Sequence, residues 1–303
     1  MNNSILDTIG NTPIVRISKL NKNIGAKRVE IYAKLEGFNP TGSIKDRIAL
    51  KMIEQAELEG KLEPGMDIIE ATSGNTGIAL AMIGVVKGYG VTIVMSEAVS
   101  IERRRMIEAF GAKIILTPAD QGTDGAIFKT RSILEKSPGA YFNPDQYSNE
   151  YNKIAHYKTT AEEIWRQSEG KITHFVSSIG TSGTIMGVGL GLKERNPDIK
   201  LIEAHPVKGH YIQGLKNMDE AIVPELYETA RLDGSIMIDT EDAFAMTRRI
   251  ITEEGIFVGM SSGAAMLAAL EVAKDIEEGF IVTIFPDRGE KYLSTALFEK
   301  TSM

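Results

Sequence analysis

One lysine stands where a lysine is electrostatically unfavourable. Lys45 follows a turn at 38–42 and lies in the first turn of a helix that begins at the capping residue Ser43. The positive end of the helix dipole disfavours a cation there, and Asp46 offsets only part of that cost. A lysine whose pKa is lowered by burial and local field can form a Schiff base. The alternative is a solvated lysine beside an aspartate, and this residue alone does not decide between them.

A second stretch with chemical potential reads GTSGT at 180–184, after a predicted strand and at a predicted helix start. Glycines and hydroxyl residues there leave backbone N–H groups free to face an anion. No Gly-Lys-Ser/Thr sequence follows, so a single phosphate monoester fits better than a nucleoside triphosphate. The alternative is a plain strand–helix loop. The glycines at 187–191 lie inside the predicted helix and do not form a dinucleotide fingerprint.

A third stretch, TSGNTG at 72–77, also joins a strand to a helix and suits a carboxylate. Two such loops at the carboxyl ends of parallel strands predict a ligand with two anionic ends, or two ligands, in a crevice between two halves. The alternative is a pair of polar turns. At 259–263, Ser261 or Ser262 either caps a helix or presents a neutral hydroxyl to a ligand ring.

Alternating strands and helices must position these loops, and they predict an α/β fold with mostly parallel, doubly wound sheets. The predicted strands are 14–17, 29–35, 67–70, 91–95, 113–117, 173–177, 200–204 and 280–285. The predicted helices are 43–59, 77–87, 100–110, 122–135, 150–168, 184–195, 240–254 and 262–274. The stretch at 137–149 is predicted to be a connector at a domain boundary, and 205–234 a long irregular loop.

Composition narrows the class of protein. The chain has 303 residues, a net charge of -7 and no cysteine. The negative charge predicts no nucleic-acid partner, and the missing thiols exclude disulfides, thiolate metal sites and a cysteine nucleophile on the protein. The first 13 residues lack the basic and apolar regions of a signal peptide, and no apolar run is long enough to span a membrane. We therefore expect a cytoplasmic protein without membrane attachment or a metal site.

Six stretches together resemble the cysteine synthases of pyridoxal-phosphate fold type II, over essentially the whole chain. They are IGNTP (9–13), KLEGFNPTGSIKDR (34–47), EATSGNTGIALAM (70–82), the 180–184 loop, EGIFVGMSSGAA (254–265) and KYLST (291–295). The chain is most similar to the B-type, or CysM-like, branch, in which the segment 214–227 looks like that of enzymes accepting O-phosphoserine.

The resemblance implies a tryptophan synthase β-like fold with pyridoxal 5'-phosphate in the crevice between two domains. It implies a smaller mobile domain at 39–147 and a larger one formed by 1–38 and 148–303. Lys45 would hold the cofactor as an internal aldimine and then remove the substrate Cα proton. Asn75 would bind the phenolic oxygen, Ser261 would face the pyridine nitrogen, and the cofactor phosphate would lie on Gly180, Thr181, Ser182, Gly183 and Thr184. The substrate carboxylate would be held by Thr72, Ser73, Thr76 and Gln146.

The reaction so implied is β-replacement on O-acetyl- or O-phosphoserine. An aminoacrylate forms and a sulfur nucleophile adds to it, giving L-cysteine. Two alternatives on the same scaffold are a cysteine lyase that releases sulfide and a cystathionine β-synthase. An alternative of another class is a protein that binds ligands without catalysis, against which Lys45, Asn75 and Ser261 argue together. The family also implies a homodimer and, as one candidate sulfur donor, a small sulfur-carrier protein.

The chain departs from phosphoserine users at Lys216, where they carry an arginine in the 214–219 segment. A lysine is a point charge and does not form a bidentate fork, so O-acetylserine stays open as the donor. Lys208 and Lys216 could together meet a dianionic leaving group, or both could be solvated loop lysines. Asp233 is a candidate general base or a structural residue. His205 and His210 lie in the same loop and receive no role.

Overall fold

The computed structural model describes residues 2–22 and 28–299. The first half runs through β1 (Ile14–Ile17), β2 (Arg28–Leu35), α1 (Lys45–Leu58), β3 (Asp67–Ala71), α2 (Asn75–Lys87), β4 (Val91–Ser96), α3 (Ile101–Ala109), β5 (Lys113–Thr117), α4 (Gly122–Lys136) and β6 (Tyr141–Phe142). The second half runs through α5 (Glu150–Ala155), α6 (Ala161–Gln167), β7 (His174–Ser178), α7 (Gly183–Lys193), β8 (Lys200–Pro206), β9 (Gly234–Ile238), α8 (Thr240–Arg249), α9 (Met260–Asp275) and β10 (Glu278–Phe285).

Two sheets organise the described chain. The smaller one has the strand order β5-β4-β3-β6 and is parallel throughout. The larger one has the order β1-β2-β10-β7-β8-β9, and only β1 runs antiparallel to its neighbour. The centre of the smaller sheet is covered on both faces, as is usual for parallel sheets, and all six residues of β4 are buried. The predicted α/β fold with mostly parallel sheets is confirmed.

Three details differ from the sequence-based expectations. β6 lies within the predicted connector, because Tyr141 and Phe142 pair with the start of β3. The predicted helices 150–168 and 240–254 each contain a π-helical turn, at His156–Thr160 and at Ile250–Glu254. A hydrophobic pattern with a period of 3.6 residues does not distinguish these widened turns from the α-helix around them.

The start of α1 also differs, since Ile44 and not Ser43 is its capping residue. The hydroxyl of Ser43 still accepts a hydrogen bond from the main-chain N–H of Lys45, at 3.2 Å. Lys45 is the first residue of the helix, so its side chain projects from the end where the amide dipoles point outward.

The glycines of α7 serve close packing. A Cβ atom on Gly187 would lie 2.2 Å from the carbonyl oxygen of Lys153, and one on Gly189 would lie 2.4 Å from Leu201. The helix can therefore approach both α5 and β8 only without side chains at these positions. The glycines at 187–191 lie inside α7, as the sequence predicted, and not in a strand–helix turn.

A buried ionic cluster holds α1 against β2 and α6. The Arg47 guanidinium donates to both carboxylate oxygens of Glu36 and of Glu163, with N–O distances between 2.7 and 2.9 Å. Lys34 Nζ lies 2.6 Å from Glu163. Burial would raise the pKa of Glu163, but the hydrogen bonds and charges of Arg47 and Lys34 lower it to about 2. The cluster contains two cations and two carboxylates, so its net charge is zero only when all four side chains are present.

None of the described helices is long and apolar enough to cross a membrane. The division into domains at 39–147 and at 1–38 with 148–303 stays a prediction. Its support is that the smaller sheet is built from strands between residues 67 and 142, and the larger sheet from strands outside that range.

The ionic cluster yields a stability prediction. Replacing Glu36 by Gln leaves Lys34 and Arg47 buried against one carboxylate, so the free energy of unfolding should fall by about 3–5 kcal/mol. Urea denaturation followed by circular dichroism measures this change. Glu30→Gln is the matched control, because Glu30 pairs with Arg16 on the surface at side-chain exposures of 40% and 59%, and should cost less than about 1 kcal/mol. Equal losses for the two variants would contradict the prediction.

Candidate active site

One cavity in the crevice between the two sheets collects most of the predicted site residues. Its walls are the turn before α1, the loops after β3 and β7, the segment 213–216 and the start of α9. The predicted residues that line it are Lys45, Ser73, Asn75, Thr76, Gln146, Gly180, Thr181, Ser182, Thr184, Lys216 and Ser261. Residues separated by up to 216 positions in the chain thus meet because parallel strands end at one edge of each sheet.

Lys45 provides an amine with an unusual ionisation. Burial lowers its pKa to about 8, and the charge of Asp287 counteracts part of this effect. None of the residues in 2–22 and 28–299 accepts a hydrogen bond from its Nζ atom. The amine is therefore available as a free base far more readily than a solvated lysine, which suits covalent chemistry with a carbonyl.

The loop 180–184 forms a turn at the start of α7 that suits an anion. Ser182, its capping residue, has φ +63°, a left-handed conformation that turns successive main-chain N–H groups to one side. Within the described chain, no acceptor pairs with the main-chain N–H groups of residues 181–184. A Cβ atom on Gly183 would lie 2.0 Å from Asn152 Oδ1, and one on Gly180 would lie 2.4 Å from the Gly214 carbonyl. Glycine is thus required twice in this turn.

Two side chains behind this loop were not found from the sequence. Asn152 donates to the hydroxyl of Thr181, at 3.0 Å. His156 Nε2 lies 3.2 Å from the hydroxyl of Thr184, and its Nδ1 lies 3.0 Å from Thr160. Burial, followed by the charges of Lys45 and Arg47, holds the pKa of His156 well below its ordinary value. The imidazole is therefore neutral, and the π-helical turn that carries it gave no recognisable signal in the sequence.

The loop 72–76 forms the facing wall. The Thr76 hydroxyl donates to Gln146 Oε1 at 2.7 Å, and Gln146 Nε2 donates to the Ala71 carbonyl at 3.1 Å. Thr76 and Gln146 therefore lie together in this wall of the cavity, and their proposed contact with a carboxylate stays a prediction. Thr72 does not line the cavity, because its hydroxyl accepts from the Gly74 N–H within the loop, at 3.0 Å. Gly74 has φ +129°, which only glycine adopts readily.

Asn75 belongs to a buried polar network centred on Asp287. Asp287 Oδ2 accepts from Asn75 Nδ2 and from the Tyr292 hydroxyl, each at 2.6 Å. Arg103 Nη2 lies 3.5 Å from the same oxygen, and its guanidinium stacks 4.3 Å from the Tyr292 ring centroid. Asn75 Nδ2 keeps a second hydrogen for a ligand. The KYLST stretch at 291–295 marked this region in the sequence, but Asp287 and Arg103 had no separate signal.

Ser261 presents a neutral hydroxyl to the cavity. Gly259 is the capping residue of α9, and no side chain caps that helix. The capping alternative for Ser261 and Ser262 is therefore wrong. Ser262 is fully buried with an unpaired hydroxyl, whereas Ser261 lines the cavity.

The remaining candidates lie in different surroundings. Lys216 lines the cavity, but its Nζ is 2.9 Å from Asp124. Lys208 is mainly exposed and lies 3.5 Å from Asp219, so the two lysines do not act together.

Asp233 lies away from the cavity. Its carboxylate is 2.6 Å from Lys193 and 3.3 Å from Lys200, and it accepts from the Leu201 N–H at 3.0 Å. These contacts tie the start of β9 to α7 and β8, so the structure supports the structural interpretation and offers no geometry for a general base. His205 and His210 accept hydrogen bonds from nearby main-chain N–H groups.

The residues present fit pyridoxal phosphate. The unpaired N–H groups of 181–184 suit its phosphate, and the Lys45 amine suits its aldehyde. Asn75 offers a donor for the ring oxygen, and Ser261 a hydroxyl for the ring nitrogen. Each polar group of the cofactor thus has a chemically matched partner within one cavity.

Comparison with known proteins agrees with this fit. Residues 5–287 match the family model described as "Pyridoxal-phosphate dependent enzyme". The chain is 49% identical over 300 residues to a cysteine synthase of Aquifex aeolicus, covering 97% of this chain and 92% of the relative. It is 44% identical over 296 residues to cysteine synthase B of Salmonella typhimurium, covering 98% and 96%.

A solved cysteine synthase from Entamoeba histolytica superposes with a TM-score of 0.93 at 41% identity, over 100% of this chain and 92% of that one. Both the sequence and the fold thus agree with those of known cysteine synthases over nearly the full length of the chain. The chain belongs to the pyridoxal-phosphate-dependent enzymes and, within them, to the cysteine synthase family.

Proposed function

We propose that this protein forms L-cysteine from an O-activated L-serine and a sulfur nucleophile, with pyridoxal 5'-phosphate as cofactor. The observation that carries the proposal is the pairing, in one cavity, of a buried lysine of lowered pKa with an anion-binding turn whose N–H groups are unpaired. The full-length similarity to cysteine synthases supports the same reaction.

When bound, the cofactor supplies an electron sink that acidifies the Cα–H of an amino acid. We assign to Lys45 both the covalent hold on the cofactor and the transfer of the Cα proton at Nζ. The N–H groups of the 180–184 loop hold the phosphate, supported by the turn geometry described above. Asn75 orients the ring through its phenolic oxygen. Ser261 offers the ring nitrogen a neutral partner, which favours β-elimination over transamination.

The donor carboxylate is assigned to the loop 72–76, through Ser73 and Thr76, and to Gln146. Support comes from the lining of the cavity and from the Thr76–Gln146 hydrogen bond. Thr72 contributes by shaping the loop through its bond to Gly74. Closure of this loop over the donor excludes water, which would otherwise compete with the sulfur nucleophile.

The assembly and location of the protein are further proposals. We infer a homodimer in the cytoplasm, with an inorganic sulfur donor or a small sulfur-carrier protein as the second reactant. The family resemblance supports the dimer and the carrier. The absence of cysteine in the 303 residues fits a reducing compartment.

Removing the catalytic amine should abolish both the covalent hold on the cofactor and turnover. We expect Lys45→Ala to release its cofactor on dialysis, to resist covalent trapping by borohydride, and to form no measurable cysteine. Mass spectrometry of the borohydride-treated protein makes the measurement. Lys51→Ala is the matched control, because Lys51 lies on the same helix but pairs with Gln55 at 3.2 Å. Covalent cofactor on the Lys45→Ala protein would refute the assignment.

The ionisation of Lys45 predicts the pH dependence of cofactor uptake. Only the unprotonated amine attacks the aldehyde, and burial lowers its pKa from the usual 10.5 to about 8. The rate of covalent uptake by the apoprotein should therefore rise with pH, with a midpoint near 8. Stopped-flow absorbance of the protein-bound cofactor measures this rate. A midpoint near that of a solvated lysine would show that the amine is not buried in the working protein.

A donor comparison tests the reaction. We expect the holoenzyme with sulfide to make cysteine from O-acetylserine or O-phosphoserine at a much higher kcat/KM than from serine. Cystathionine formation from serine and homocysteine, or sulfide release from cysteine, as the fastest reaction would instead favour one of the two alternatives. Chromatographic assay of the products separates the three outcomes.

A further inference from the structure

The cavity contains very little charge of its own. Among its lining residues within the described chain, only Lys45 and Lys216 carry an ionisable cation, and no carboxylate lines it. Lys45 is committed to the cofactor under the proposed function. Lys216 is therefore the cation left to meet a charged group on the donor, and its surroundings decide whether it can do so.

Lys216 already has a partner. Its Nζ lies 2.9 Å from Asp124 Oδ1 and 3.4 Å from the Ile222 carbonyl, and 4.8 Å from the Tyr147 ring centroid. The side chain of Lys216 is only 8% exposed, so water screens the pair weakly on the lysine side. The carboxylate of Asp124 thus largely compensates the positive charge that Lys216 brings to the cavity.

Asp124 is held in a position that favours this compensation. It lies in the first turn of α4, where the helix dipole stabilises a carboxylate. Its second oxygen, Oδ2, accepts from the Ile222 N–H at 3.1 Å. One carboxylate therefore fastens the segment 216–222, which follows β8 of the larger sheet, to a helix that covers the smaller sheet.

The neighbouring Tyr147 adds no charge to this wall. Burial, followed by the charges of Glu70, Asp124 and Asp145, raises the pKa of the Tyr147 hydroxyl. Tyr147 therefore lines the cavity as a neutral phenol. Lys208, the other lysine between β8 and β9, lies 3.5 Å from Asp219 at a side-chain exposure of 64% and does not line the cavity.

We propose that Asp124 is a specificity-determining residue: by pairing with Lys216 it makes this wall of the cavity nearly neutral and selects against a donor with a doubly charged leaving group. The proposal rests on the proposed function, since it assigns the choice between an ester and a phosphate on serine. A phosphate dianion would have to compete with a fixed carboxylate for one ammonium group. A neutral ester requires no such competition.

The test is the ratio of kcat/KM for O-phosphoserine to that for O-acetylserine, with sulfide and the holoenzyme. Asp124→Asn preserves shape but removes the charge, and should raise this ratio by about tenfold. Lys216→Gln leaves Asp124 unpaired beside the cavity and should lower it. The double variant should lose the gain of Asp124→Asn, because that gain acts through the lysine.

Asp219→Asn is the matched control. This substitution removes the carboxylate that pairs with Lys208, and this pair lies outside the cavity. The kcat/KM ratio of this variant should stay within about twofold of the ratio of the unchanged protein. An unchanged or lower ratio in Asp124→Asn, or an equal rise in Asp219→Asn, would overturn the proposal.

A binding measurement keeps the proposal separate from the reaction. Calorimetric titration of the holoenzyme with L-2-amino-4-phosphonobutyrate, a phosphonate analogue of O-phosphoserine without a β-leaving group, should give about tenfold tighter binding for Asp124→Asn, but not for the double variant. This result is expected even if no donor is turned over, an outcome that would refute the proposed function alone. Turnover of O-acetylserine with unchanged affinity for the analogue in Asp124→Asn would refute the role of Asp124 alone. Thermal unfolding of each variant confirms that the folded protein is being compared.

Discussion

The position of Lys45 depends on a buried balance of charge two residues further along the chain. Arg47 is clamped between the carboxylates of Glu36 and Glu163, and Lys34 supplies the second cation. Each of these charges would be costly to bury alone, so the four groups are stable only together. The cluster fixes α1 against β2 and α6. Lys45, the first residue of α1, is thereby held at the cavity.

The candidate site arises from two loops that suit anions for the same reason. Each follows a parallel strand and precedes a helix, so its main-chain N–H groups lack partners within the helix and gather at the positive end of the dipole. Gly74 and Ser182 both have a positive φ, at +129° and +63°, which turns the chain sharply at the start of each helix. Because the loops belong to different sheets, the distance between them is set by how the two sheets pack.

Asp287 links these parts electrostatically. It follows β10 of the larger sheet, yet it accepts from Asn75 of α2 and lies near Arg103 of α3, both of which flank the smaller sheet. Its charge also counteracts the lowering of the pKa of Lys45. A single buried carboxylate thus orients the Asn75 amide and partly counteracts the lowering of the pKa of Lys45.

The sequence by itself predicted the alternation of elements and marked Lys45 and the loops 72–77 and 180–184 as candidates, because periodicity, turn residues and helix ends are local properties. Only the resemblance of six stretches to a known family favoured the functional interpretation of these candidates over the plain one. The sequence missed the short β6 and the π-helical turn of His156, because neither has a period that distinguishes it from its surroundings. Tertiary structure alone decided that Asp233 faces Lys193 and Lys200. It also decided that Asp124 compensates Lys216, since two charges 92 positions apart meet only once both sheets are assembled.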